Sequence, residues 1–225
     1  MEFDDFIETI MLSQSGLQWA KSFRRSRIRF LTSEQTPIPL SDGCAFFLHI
    51  VPYGNRVSIN FRDDKYYEVI KRHGFSKVSS NYVFNCDGWM WYTSHDSKKI
   101  SSYSLYMRAG IIEQCNIYPP FNNGNFIPGQ SMNEFLLFNI VDNLEALSDM
   151  GQDFPMAVFV SILNAKGWSI GGLHTPPYID RNEIWIEECD LKCKPNEYEK
   201  DLEPLIDAVW NCGGLASSPY SIARK

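Results

Sequence analysis

Apolar positions near the start of this chain recur at a helical period. Phe3, Phe6, Ile7 and Ile10 are followed, after Ser15-Gly16, by Leu17, Ala20, Phe23, Arg27 and Leu31. This predicts two helices, or one helix kinked at Gly16. The opposite side of the second pattern carries Gln18, Ser22, Arg25 and Arg29, three or four residues apart, so those side chains line one edge. Thr36-Pro37-Ile38-Pro39 cannot continue the helix, because each proline holds its predecessor in extended geometry, and Ser41-Asp42-Gly43 turns the chain. Cys44 to Pro52 is then a short, almost unbroken apolar run. Its length and flanking turns fit a strand buried on both faces, hence a central one. Asn55 to Phe61 reads as a second strand. Asp63 to His73 reads as a short helix with Asp63 or Asp64 at its N-terminus and Gly74 at its end.

From Tyr82 to Tyr118 the period changes to that of three aromatic-rich strands, at 82–93, 100–108 and 111–118, joined as an antiparallel meander. Pro119 to Gly129 holds too much turn chemistry for regular structure and is expected to be mobile. Ser131 and Glu134 have capping-box spacing before a helix through Phe135, Phe138, Val141, Leu144 and Leu147, stopped by Gly151. Strands over 156–163 and 183–188 follow, and then a closing helix over 198–211 with Ile206, Val209 and Trp210 inward. Strands in the middle and helices at the ends predict an α+β fold, a single domain with a mainly antiparallel sheet flanked by helices. Its expected division is a helical N-terminal arm over 1–31 and an α+β domain over 32–225.

Composition changes this picture little, since 225 residues suffice for a core without staples. The aromatic content of 14% is high, and suits either thick packing or a contact surface. Charge is more informative. Between Asp180 and Asp207 ten acids face four bases, a difference equal to the whole net charge of −6, while Arg24, Arg25, Arg27 and Arg29 make one end locally basic. Such a balance argues against wrapping nucleic acid over the whole surface. The six cysteines have neither an export leader before them nor zinc-ligand spacing, so reduced thiols in a cytoplasmic protein are expected. No apolar run reaches the roughly 18 residues of a membrane span.

Candidate chemistry is sparse. No GxxxxGK[ST] or GxGxxG loop is present to cradle phosphate. His95-Asp96 invites comparison with metal phosphohydrolases but falls in a predicted hairpin turn, and Cys86 or Cys212 would need a histidine brought in by the fold. Asp87-Gly88 marks a strand bulge or kink. No catalytic, cofactor or metal residue is assigned. Arg24, Arg25, Arg27 and Arg29 are the candidate contacts for a partner or for phosphate, with Trp19, Phe23 and Phe30 beside them to stack or pack. A solvated helix face, anchored to the acidic C-terminal region, is the alternative.

One further feature is the order of motifs. The arginine-rich helix running into Thr36-Pro37-Ile38-Pro39-Leu40, the strand Phe46 to Pro52, Phe84-Asn85-Cys86-Asp87-Gly88, Arg108-Ala109-Gly110, Ile179-Asp180-Arg181 and Leu205-Ile206-Asp207-Ala208-Val209-Trp210 follow one another from about Trp19 onward. This order resembles the region that follows the AlbA-type, ATP-binding domain in bacterial Schlafen/AlbA-type proteins. In that family the preceding domain binds nucleotide or nucleic acid. The resemblance therefore implies a freestanding trailing region that supports a partner acting in trans. The expectation is a non-enzymatic accessory subunit, with an ATPase or nuclease as protein partner, in a setting such as anti-phage defence. Direct nucleic-acid binding by the Arg24 to Arg29 edge is the alternative, and a metal- or thiol-dependent hydrolase is a third.

Overall fold

The computed structural model describes residues 3–33, 36, 38–73, 81–96, 99–120, 124–171 and 178–220, the side chains of 3–14, 95 and 96 excepted. A strand apolar at nearly every position must be covered on both faces, and β1 (Cys44–Pro52) is buried along its whole length. It runs between β5 (Ile112–Tyr118) and β7 (Met156–Leu163), antiparallel to both. Beyond β5 the sheet continues through β4 (Lys99–Met107) and β3 (Gly88–Asp96) to β2 (Asn81–Phe84), which ends it. Beyond β7 lie two short strands in line, β9 (Glu183–Trp185) opposite Ser161 to Leu163 and β10 (Cys189–Leu191) opposite Met156 to Val158. A separate parallel pair joins β6 (Phe126–Ile127) to β8 (Ser169–Ile170). The fold is α+β with a mainly antiparallel sheet, as the sequence pattern predicts.

Alternation along β1 divides the core between two faces. Phe46, Leu48 and Ile50 pack under α2 (Asp64–His73), α3 (Gly129–Asp149) and α4 (Tyr198–Cys212). Ala45, Phe47 and Val51 pack under α1 (Phe3–Thr32) together with Ala20, Ile28 and Leu31. The segment expected as an arm thus lies on the sheet from Leu17 onward. It is one continuous helix rather than two. A Cβ at Gly16 would stand 2.7 Å from the Tyr53 carbonyl oxygen, so the glycine there allows the helix to approach the end of β1 and introduces no break.

Several expectations change. The 82–93 stretch is a hairpin, not one strand: the Asn85 side-chain oxygen accepts the Gly88 N–H at 2.8 Å, and the Asn85 N–H donates to the Gly88 carbonyl at 2.9 Å. Asp87-Gly88 is therefore a turn, and a Cβ at Gly88 would lie 2.0 Å from the Tyr106 carbonyl oxygen. Asn55 to Phe61 is not a strand. The Gln152 amide accepts the Val57 N–H at 3.0 Å and donates to its carbonyl at 2.6 Å, satisfying that backbone without a ladder. The expected capping box is not formed, because α3 already begins at Gly129 after Pro128, with no side-chain cap. Phe138 is turned outward at 54% exposure, while Met132, Leu136, Ile140, Leu144 and Leu147 face the sheet. Within Pro119 to Gly129, β6 supplies regular structure; residues 121–123, Gly74 and residues 172–177 lie outside the described set.

α2 starts as expected, the Asp63 carboxylate accepting the Lys65 N–H at 3.0 Å. α4 ends at Gly213, with Gly214 at φ +81°. Its Trp210 is fully buried, donates from Nε1 to the Asn133 side-chain oxygen at 3.3 Å, and lies so close to Gly129 that a Cβ there would meet the ring at 2.4 Å. Trp210→Ala is expected to cost about 3–5 kcal/mol in a denaturant titration, since the vacated volume cannot collapse between helix and glycine. An unchanged midpoint would contradict that packing.

Candidate functional site

The four arginines divide by face. Arg25 and Arg29 are exposed, as are Gln18 and Ser22, so the expected polar edge of α1 is open to solvent. Arg24 and Arg27 instead point into the sheet, which corrects their place among surface contacts. The reason is helical geometry: Arg24 falls midway between Ala20 and Ile28 on the buried stripe, and Arg27 lies beside Ile28. Arg24 donates from Nε to Ser161 Oγ at 2.9 Å, from Nη1 to the Ile186 carbonyl at 2.8 Å and from Nη2 to the Val160 carbonyl at 2.6 Å. The Phe159 and Trp185 rings flank it at 5.3 and 5.1 Å. Its guanidinium binds the Ile186 carbonyl in the break between β9 and β10, and the strand expected over 183–188 ends at Trp185. Burial pulls the Arg24 pKa down to about 10 against the opposing pull of Glu188, so it stays cationic at neutral pH. Lys21 pairs with the same Glu188, tying α1 to the acidic C-terminal region.

Arg27 meets the most buried charge described. Glu113 on β5 is wholly inaccessible and receives Arg27 Nε at 2.6 Å and Nη2 at 3.0 Å, a bidentate grip, together with the Tyr103 hydroxyl at 2.7 Å. His49 Nε2 lies 2.9 Å away, because the register sets His49 directly opposite Glu113. An ionised carboxylate only accepts, so His49 carries its proton on Nε2. Asp87 takes the remaining Arg27 nitrogen, Nη1, at 3.1 Å. Burial alone would raise the Glu113 carboxyl, but the His49 hydrogen bond and the Arg27 charge prevail and hold it at about 2. Tyr103 is pushed well above its ordinary value by burial and by Glu113. A carboxylate, an imidazole and a phenol in contact look catalytic, yet the adjoining cavity, lined by Arg27 and Tyr103, measures only ≈ 10 Å³. Each Glu113 oxygen already accepts two hydrogen bonds. The cluster fastens a helix to a sheet.

Exposed chemistry gathers at the other end of the sheet. Cross-strand register sets Tyr82 opposite Trp91 and Phe84 opposite Trp89. Trp89 is sandwiched between Phe84 (centroids 5.0 Å apart, planes at 18°) and Tyr67 of α2 (5.5 Å, 15°). Tyr82 stands edge-on to Phe84 and Trp89, and Phe61 edge-on to Trp89 with the Arg108 guanidinium 5.5 Å above its ring. Tyr67, Tyr82 and Phe84 are 40, 57 and 50% exposed. The indole N–H groups of Trp89 and Trp91 are buried without an acceptor among the described residues. The sequence signal was the density of rings in FNCDGWMWY; the hairpin that stacks them was not legible.

The remaining candidates stay apart. Cys86 is exposed, its sulfur 3.9 Å from Asp87, and the side chain of His95 is outside the described set. Cys44 and Cys115 are buried, and burial raises their thiols, Cys44 to about 12. A cleft of ≈ 510 Å³ opens beyond the end of α1 between Leu31, Phe47 and Leu163; two of its charged residues, Asp42 and Lys99, pair at 2.9 Å. Ligand atoms of His73, Asp142 and Glu145 converge within 4.8 Å where α2 meets α3, and these are the described residues able to hold a metal ion. Comparison with protein-family models, with curated proteins and with solved structures finds no match to this chain.

Glu113 yields a pH prediction. Its folded pKa lies below the unfolded 4.5, so its contribution is complete above that value and is lost as pH falls toward about 2. Glu113→Gln is expected to cost about 3–5 kcal/mol at neutral pH, because Arg27 is left charged without its partner. It should also flatten the acid limb of stability measured by denaturant titration over that window. A variant as stable as the wild type would contradict the assignment.

Proposed function

We propose that this protein is a non-enzymatic accessory subunit that docks a protein partner through the aromatic edge of its sheet. Three exposed rings on the last strand and its neighbouring helix, backed by two tryptophans, support the reading. Aromatic anchors on a rigid support are the usual core of a protein contact, since they bury large area with few torsions to freeze. β2 closes the sheet, and among the described residues no strand pairs with its outer side. The net charge of −6 argues against wrapping nucleic acid over the whole surface. The resemblance of the motif order to that of Schlafen/AlbA-type proteins suggests an ATPase or nuclease as the partner and a defence-related setting. Six unpaired thiols fit a reducing, cytoplasmic compartment. Among the described residues, no helix is long and apolar enough to cross a membrane.

Direct nucleic-acid binding is kept as a second reading because Arg25 and Arg29 are exposed along one edge of α1. Purification from the native host after nuclease treatment separates the two. A stoichiometric protein partner should be retained by Arg25→Glu/Arg29→Glu and lost from Tyr82→Ser/Phe84→Ser, with both variants keeping wild-type circular dichroism. Retention of the partner by the aromatic variant would refute the aromatic edge. Oligonucleotide binding lost only in the arginine variant, with no partner recovered, would make the second reading the correct one.

A further inference from the structure

We propose that His73, Asp142 and Glu145 bind one divalent first-row transition ion of the zinc type, which fastens the end of α2 to α3. His73 is the last residue of α2, and Asp142, Glu145 and Asp149 follow one another on α3 at spacings of three and four, which places them on one side of that helix. The His73 Nδ1 atom lies 3.2 Å from Asp142 Oδ1, and a ligand atom from each of His73, Asp142 and Glu145 falls within 4.8 Å of the others. A tetrahedral ion with arms of about 2.0–2.1 Å holds neighbouring ligand atoms about 3.3–3.4 Å apart, so the His73 and Asp142 atoms already stand near that separation.

The second ring nitrogen supplies an independent indication. His73 Nε2 lies 3.0 Å from Asp149 Oδ2, and Asp149 is itself held by Arg72 Nη1 at 3.2 Å. A carboxylate on the far nitrogen of a histidine fixes its tautomer and ring orientation and leaves the near nitrogen as a lone-pair donor, the arrangement that supports metal-ligating imidazoles. An imidazole with two carboxylates selects a transition ion over magnesium or calcium, which prefer all-oxygen shells. Three protein ligands leave a fourth position for water. On binding, the ion takes the place of the direct contact between Nδ1 and Asp142.

The test uses the full chain, stripped with chelator and titrated with zinc chloride by calorimetry at neutral pH. One equivalent should bind and raise the melting temperature, and magnesium should do neither. His73→Gln and Glu145→Gln should each weaken zinc binding at least tenfold. Asp149→Asn, at a residue that contacts the ring and is not one of the three ligands, should weaken it about 10- to 100-fold. A Cys86→Ser/Cys189→Ser/Cys193→Ser variant should bind as the wild type does. No zinc binding by the wild type, unchanged binding in His73→Gln and Glu145→Gln, or loss of binding in the cysteine variant would overturn the proposal.

Discussion

The bidentate contact between Arg27 and Glu113 fixes how the first helix sits on the sheet. A carboxylate with no solvent exposure is tolerated only where its charge is matched and its lone pairs are filled, and α1 brings the matching cation. Apolar contact alone would let a helix slide along a strand face by small steps at modest cost. A charge pair of fixed fork geometry removes that freedom, because any shift leaves both partners buried and unpaired. His49 and Tyr103 complete the shell from β1 and β4, so three neighbouring strands and one helix converge on a single carboxylate.

Arg24 extends the same logic one turn earlier. Its three donors satisfy carbonyl and hydroxyl groups at the place where β9 gives way to β10, so the helix also repairs the outer side of β7. The α1 face is consequently saturated from within, its two inward arginines spent on internal partners. Chemistry available to another molecule lies elsewhere: on the outer edge of α1 at Arg25 and Arg29, at the α2–α3 junction, and above all on the ring-covered end of the sheet.

Elements whose residues are all apolar or strictly periodic were legible in the sequence. β1 and β7 coincide with their apolar runs, and the closing helix with its inward Ile206, Val209 and Trp210. Failures trace to side chains that replace backbone partners. Gln152 substitutes for a strand beside Val57, and Arg24 binds the Ile186 carbonyl just past the end of β9, each across a sequence distance that periodicity does not sense; Asn85 closes a turn three residues long through its own side chain. The buried cluster left a fainter trace, since Arg27 stood on an apolar helical stripe, His49 in an apolar run and Glu113 inside a strand. Only the register of β1 on β5 shows that these three meet. His73 and Asp142 lie 69 residues apart, and nothing local links them.

A double-mutant cycle on Arg27 and Glu113 tests the dependence of the fold on this pair most directly. Arg27→Met and Glu113→Gln each leave one buried polar group without its partner, whereas the double variant removes both charges together. The double variant should therefore be less destabilised than the sum of the two single changes, by about 1–3 kcal/mol in denaturant titration. Strictly additive losses would show that helix and sheet hold together without the pair, and would contradict the account.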